Sequence, residues 1–251
     1  MPIFKTAVYK TVGDAELTLS YVLPDGSSPS PCPAVLFYFG GGFKNGKVEQ
    51  FRPQSEYLAE RGIAGIAADY RVKSRHGVTP SDCVRDALDA YAWVYGNAAA
   101  YGIAADRIAV AGGSAGGYLA GAVALLPGFG GREPVRRPPA VAMFNPLLDT
   151  YCGDAALACV PDDERETLNL MDKIRPGLPP MTIFQGEVDQ GTPLTAAQRF
   201  ADGMRAAGNR CDLHVYAGED HGFFNKGQGT LPDDGCYWDT VRKLHEFLSF
   251  V

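Results

Sequence analysis

A chain of 251 residues with 46% apolar and 21% charged residues has the composition of an ordinary globular protein, long enough for one large α/β domain with a well-buried core. Its net charge of −6, with no dense Lys/Arg cluster, argues against nucleic-acid and anionic-membrane partners. No apolar span approaches the roughly twenty residues of a membrane helix.

The opening run Met1 to Lys10 lacks the basic region and apolar stretch of a secretion signal. As given, the chain is expected to be soluble and cytoplasmic, or periplasmic or secreted if a signal has been removed. Phe4 to Val12 and Glu16 to Leu23 alternate as strands around a Gly13-Asp14 turn, which predicts an antiparallel hairpin. A Pro/Ser-rich linker from Pro24 to Pro33 interrupts the pattern. Ala34 to Phe39 is then a continuous apolar run, the mark of a strand covered on both faces.

Gly40, Gly41 and Gly42 follow that strand, so backbone N–H groups can face an approaching atom with no side chain in the way. Gly41 and Gly42 are candidate oxyanion donors. A phosphate loop is the competing reading, but no Gly-Lys-Ser/Thr or G-x-G-x-x-G accompanies them. A helix is predicted over 51–61 with Gly62 past its end, then a strand over 63–69. Asp69 at the strand end is assigned a structural role. Thr79-Pro80-Ser81-Asp82 is a helix start, and Val84, Leu88, Tyr91, Ala92 and Tyr95 give that helix one apolar face up to a break near Gly102.

Ile108 to Leu126 is the stretch around which the chain is organised. An apolar strand ends in Gly112-Gly113-Ser114-Ala115-Gly116-Gly117, and about three turns of Ala/Leu/Val-rich helix follow. A strand-turn-helix corner exposes the Ser114 hydroxyl and aims the helix N-terminus, with the Ala115 N–H, at the same spot. Taken alone, G-x-S-x-G can arise by chance among thirty glycines. A Gly/Pro-rich connection over 127–139 contains the Arg136-Arg137 pair, read as solvated, and a buried strand follows over 140–144. The segment 145–173 reads as long and irregular, a place to look for substrate selectivity. A strand over 181–185, a helix over 194–207, a strand over 211–216 and an amphipathic helix from Gly235 to Phe250 complete the pattern. Alternating strands and helices imply a mostly parallel sheet of about eight strands flanked by helices, with the hairpin as its antiparallel edge and no large cap domain.

A serine hydroxyl needs a base to become a nucleophile. Of four histidines, His214 lies in a strand and His245 on the last helix. His76 precedes Ser114 in a loop and is a candidate for substrate contact. His221 alone follows the last predicted strand among Gly, Asp and Phe. The imidazole in turn needs a carboxylate to hold its tautomer. Asp189, just after the penultimate strand, is the first choice and Asp149, after the strand before it, the alternative. Glu187 and Asp220 are expected to be aimed away or bonded locally. Six cysteines without a C-x-x-C pair point to neither zinc nor redox chemistry. Cys152 and Cys159 share one loop and could pair in an oxidising compartment, with free thiols as the default.

The order Ser114, Asp189, His221, the glycine triplet at 40–42, Asp-Tyr-Arg at 69–71, Thr192-Pro193 and His221-Gly222-Phe223 resemble the α/β-hydrolase superfamily. The resemblance is to small bacterial carboxylesterases and acetyl esterases related to feruloyl esterases and the hormone-sensitive-lipase group. It implies an acyl-enzyme on Ser114, His221 as base, Asp189 as its partner, an oxyanion hole of Gly41, Gly42 and Ala115, and no metal or organic cofactor. One departure stands out: Phe39 replaces the histidine that usually precedes the three glycines, so the loop must be anchored by another group. There is little sequence for an N-terminal helical cap, which suits an open site and a bulky substrate such as an acetylated sugar. The alternatives are an amide hydrolase, of arylformamidase or prolyl-oligopeptidase-like type, and a non-catalytic binding protein on a hydrolase fold; a homodimer is compatible with the sequence.

Overall fold

The computed structural model describes residues 3–26 and 31–249. The middle of the expected linker, residues 27–30, and the expected helix end at Phe250 lie outside the described residues.

Among the described residues eight strands form one sheet: β1 (Lys5–Val12), β2 (Ala15–Val22), β3 (Cys32–Tyr38), β4 (Ala64–Ala68), β5 (Ile103–Gly113), β6 (Val141–Phe144), β7 (Met181–Gly186) and β8 (Cys211–Tyr216). Their order is β1-β2-β4-β3-β5-β6-β7-β8. β1 pairs antiparallel with β2 and β2 antiparallel with β4, while every later pairing is parallel. The expected edge hairpin on a parallel sheet is therefore what forms. All residues of β4, β6 and β7 are buried, as continuous apolar runs require when helices cover both faces.

The helices are α1 (Arg52–Ala59), α2 (Lys73–His76), α3 (Pro80–Asn97), α4 (Ala115–Leu125), α5 (Asp154–Cys159), α6 (Asp162–Leu168), α7 (Leu194–Ala206) and α8 (Gly235–Leu248). On one face Val84 and Leu88 of α3, Leu119 of α4 and Phe200 of α7 join Leu36, Val110 and Ile183 of the sheet in one core. On the other, Leu58 of α1 and Leu244 and Phe247 of α8 pack with Phe37 and Phe144. Every residue of α4 is buried, so the serine-bearing corner opens directly into the centre of the molecule.

Two sequence expectations need correction. β5 begins at Ile103, not near 108. The segment 145–173, expected to be irregular, contains α5, α6 and a 3₁₀ turn at Met171–Lys173. These elements are too short for an apolar period to show, and α6 is supported instead by Asp162, Asp163 and Glu164 in its first turn, where acids complement the helix dipole.

Candidate active site

Ser114 joins β5 to α4 with φ 55° and ψ −120°, a conformation that L residues rarely adopt. Its N–H donates to the Phe144 carbonyl at 2.8 Å and its carbonyl accepts from the Tyr118 N–H at 3.0 Å, so both sides of the corner are pinned. The flanking glycines are required by space. A Cβ on Gly112 would lie 2.2 Å from the Gly116 carbonyl oxygen, and one on Gly116 would lie 2.1 Å from the Tyr38 carbonyl oxygen. The helix can start so close to β3 only because those side chains are missing.

His221 sits after β8 and bonds through Nδ1 to Asp189 Oδ2 at 2.7 Å. The Asp189 side chain is fully buried while that of His221 is 38% exposed, so the pair has one dry end and one end facing the cavity. With Nδ1–H held by the carboxylate, Nε2 carries the lone pair. Asp189 also accepts at Oδ2 from Thr192 Oγ1 and Asn145 Nδ2, both at 2.8 Å, and at Oδ1 from the Thr192 N–H at 2.9 Å. Burial alone would raise the Asp189 pKa. The hydrogen bond and charge of His221, with the two bonds from Thr192, outweigh burial and hold it below the usual carboxylate value.

The alternative acid, Asp149, is engaged elsewhere: Arg199 donates to it at 2.5 Å and the Tyr151 N–H at 2.9 Å. Asp220 accepts from the adjacent His221 N–H, a local bond, while Glu187 accepts from the Gly218 N–H in the loop after β8. Asp69 pairs with Arg75 at 2.7 Å, a structural role. His76, a candidate for substrate contact, instead accepts at Nδ1 from the Val72 N–H at 3.1 Å and closes α2, apart from the residues that line the cavity.

Ser114 and His221 open into one cavity of about 660 Å³. Gly40, Gly41 and Gly42 form part of its wall. Gly41 has φ 121° and Gly42 φ 62°, backbone shapes that favour glycine, and the Gly41 carbonyl accepts from the Lys44 and Asn45 N–H groups to turn the loop. Ala115 is the first residue of α4, fully buried beside Ser114. The anchor that Phe39 cannot supply comes from two neighbours. Phe39 stacks on Tyr70 at 4.1 Å with the Tyr70 hydroxyl donating to the Phe39 carbonyl at 2.7 Å, and Gly40 N–H donates to Gln50 Oε1 at 2.7 Å. All six cysteines are free, Cys152 and Cys159 included. No group of three or more His, Cys, Asp or Glu among the described residues is placed to hold a metal ion, and no described helix is long and apolar enough to cross a membrane.

A family model described as BD-FAE matches residues 19–133, and one described as the Dienelactone hydrolase family matches residues 150–248. The probable carboxylic ester hydrolase LipM of Mycobacterium tuberculosis is 30% identical over 204 residues, which cover 72% of this chain and 47% of that protein. The chain thus spans about half the length of that relative. Carboxylesterase NlhH of the same organism is 30% identical over 218 residues, covering 77% of this chain and 67% of its own length. Among solved structures, the propionate-bound form of the Thermogutta terrifontis esterase Est2 superposes with a TM-score of 0.89 at 38% identity, covering 98% of this chain and 93% of that one. The chain belongs to the α/β-hydrolase esterases.

Three residues around the site of this α/β-hydrolase had no role from the sequence. The sequence marks Thr192 only as part of a Thr-Pro pair and leaves Asn145 and Gln50 unmarked. The available signal was position: Asn145 follows β6 directly, at the carboxyl end of a central parallel strand, where α/β sheets place ligand-facing groups. The segment 145–173 adds only Ala155 to the cavity wall of this hydrolase; more of the wall comes from residues 46–53 and 222–228.

Proposed function

We propose that this protein hydrolyses carboxylic esters with short acyl groups, acetyl first among them, through an acyl-enzyme on Ser114. The observation that carries the reading is the buried Asp189 bonded to His221 Nδ1 at 2.7 Å, with the ring and the strained Ser114 facing one cavity. His221 Nε2 takes the Ser114 Oγ proton as Oγ bonds to the ester carbonyl carbon. The carbonyl oxygen becomes an oxyanion facing the Gly41, Gly42 and Ala115 N–H groups. Collapse breaks the bond to the alcohol oxygen, which leaves with the proton from His221. Water, deprotonated by His221, then attacks the acyl-enzyme and releases the acid and the free serine. Asp189 stays ionised throughout and stabilises the imidazolium.

The short-acyl preference is supported by the relative: Est2 of Thermogutta terrifontis has been solved with propionate and with butyrate bound. An ester on a carbohydrate or similar polyol is the proposed substrate, because Lys47, Glu49, Lys226 and Gln228 line the wall with polar groups that can donate to or accept from hydroxyl groups. The test is turnover by wild type and Ser114→Ala on p-nitrophenyl esters of rising chain length, an acetylated sugar and an N-formyl aromatic amine. Serine-dependent turnover that favours acetyl esters and the sugar is expected. Preference for the formamide would overturn the ester reading, and full activity in Ser114→Ala would remove the acyl-enzyme.

A further inference from the structure

Gln50 is the third residue of the 3₁₀ turn Val48–Phe51, which leads into α1. Its neighbour Phe51 is buried between Phe37 at 4.8 Å and Phe224 at 5.9 Å, so the backbone that carries Gln50 is held rigidly. One end of the carboxamide, Oε1, accepts the Gly40 N–H at 2.7 Å. The other end, Nε2, donates to Asn225 Oδ1 at 3.1 Å. The orientation follows from chemistry: a backbone N–H can only donate, so the atom facing Gly40 is oxygen and the NH₂ faces Asn225. Asn225 is oriented by the same logic, since its Nδ2 donates to the Gly222 carbonyl at 2.9 Å, and a carbonyl can only accept.

One side chain therefore joins the glycine loop to the loop that carries His221. A Cβ placed on Gly40 would be 3.3 Å from Ser114 Cβ and 3.6 Å from Gln50 Oε1, which places Gly40 between the nucleophile-bearing residue and the carboxamide. The glycine loop must present its N–H groups where the oxyanion develops, and His221 must reach the same reacting carbon. Their relative placement is the quantity that sets the rate, and displacement by about an ångström can cost on the order of 100-fold.

The geometry points to Gln50 as a positioning residue that clamps the oxyanion loop to the histidine loop through Asn225, taking over in this chain the anchoring that Phe39 cannot provide. The inference rests on the proposed serine chemistry. It acts on the transition state, so it affects kcat and leaves substrate affinity largely alone.

The test is a double-mutant cycle of Gln50→Met and Asn225→Leu on p-nitrophenyl acetate, with kcat and KM measured separately, thermal unfolding followed for each variant, and wild type and Ser114→Ala run alongside. Gln50→Met keeps the length of the side chain and removes both hydrogen bonds. It is expected to lower kcat by about 10- to 100-fold with KM within about threefold of wild type. Asn225→Leu is expected to lower kcat in the same sense, and the double variant to be no slower than the slower single, because both cut one connection. If Gln50→Met fails to fold, Asn225→Leu breaks the clamp from the other loop and its kcat-to-KM split is read instead. With wild type active and Ser114→Ala silent, single variants within twofold of wild type, losses that multiply in the double, or a change confined to KM would overturn the clamp and leave the serine chemistry standing. Absence of serine-dependent turnover in wild type would overturn both.

Discussion

Asp189 shows how one carboxylate is singled out among several. It lies dry beneath His221, and its Oδ2 accepts from His221, Thr192 and Asn145, while Asp149 is neutralised by Arg199 at another point of the same sheet edge. Asp189→Asn presents an amide where the imidazole needs an acceptor and should lower kcat by on the order of 10³–10⁴. Asp149→Asn should have little effect on turnover; a larger loss there than at Asp189 would reverse the assignment of the acid. Ser114 makes a separate prediction about stability. At φ 55° and ψ −120° its backbone strain is of order 1–3 kcal/mol, relieved by glycine but not by alanine. Ser114→Gly should therefore unfold at higher denaturant concentration than Ser114→Ala, by about 1 kcal/mol. Equal stabilities would show that the corner is not strained.

The element that sets this strain is the β5–α4 unit, and its glycines divide by what surrounds them. A Cβ on Gly116 would meet the backbone oxygens of Tyr38 at 2.1 Å and Phe39 at 2.3 Å, atoms that no rotamer change can move. Gly116→Ala should cost roughly 3 kcal/mol in denaturant unfolding and displace the helix start from β3. Gly96, inside α3, has nothing within 4 Å of an added Cβ. Gly96→Ala should gain up to about 1 kcal/mol by helix propensity and a less flexible unfolded chain. If both substitutions cost the same, the close approach of α4 to β3 is not what demands glycine at 116. The local part of the crowding, Gly112 against the Gly116 carbonyl, was readable from the G-x-S-x-G spacing, whereas the approach of Gly116 to β3 joins distant parts of the chain and was not. The short helices α5 and α6 were not readable, because six or seven residues give too few turns for an apolar face to recur.

At the scale of the whole molecule, the pH response of stability collects contributions away from the site. His214, stacked on Phe184 at 5.2 Å, has its pKa lowered by burial and then by the Lys243 charge, and His245 has its pKa lowered by burial and then by Arg61. A lowered folded value means that the unfolded chain takes up the proton first. The stability these histidines contribute is present above their unfolded value of about 6.5 and is lost as the pH falls from there through the folded values. Asp189 behaves alike in its own range: its contribution is present above about 3.9 and is lost as the pH falls through its lowered folded value. His214→Phe keeps a ring against Phe184 and removes the titration, so midpoint against pH should fall less steeply below about 6.5 than in wild type. An unchanged slope would place the acid response elsewhere.

The parallel sheet with its antiparallel edge, the serine corner, the glycine loop and the candidacy of His221 were legible in the chain, because each is written in neighbouring residues. Apolar runs mark covered strands, glycines mark close approach, and the place of a residue after a strand marks the sheet edge that binds ligands. Asp189 over Asp149 was a choice between two residues with the same local surroundings. In the structure the Asp189 loop folds under His221 and the Asp149 loop meets Arg199, a difference with no local trace. Asn145, Thr192 and Gln50 belong to the same class of fact. Gln50 and Asn225 are 175 positions apart in the chain, and their 3.1 Å hydrogen bond exists only because the turn before α1 and the loop after β8 converge on one end of the sheet. Side-chain direction across such distances has no periodic trace in a sequence; it is set by packing, and only the tertiary structure could bring those groups together around one site.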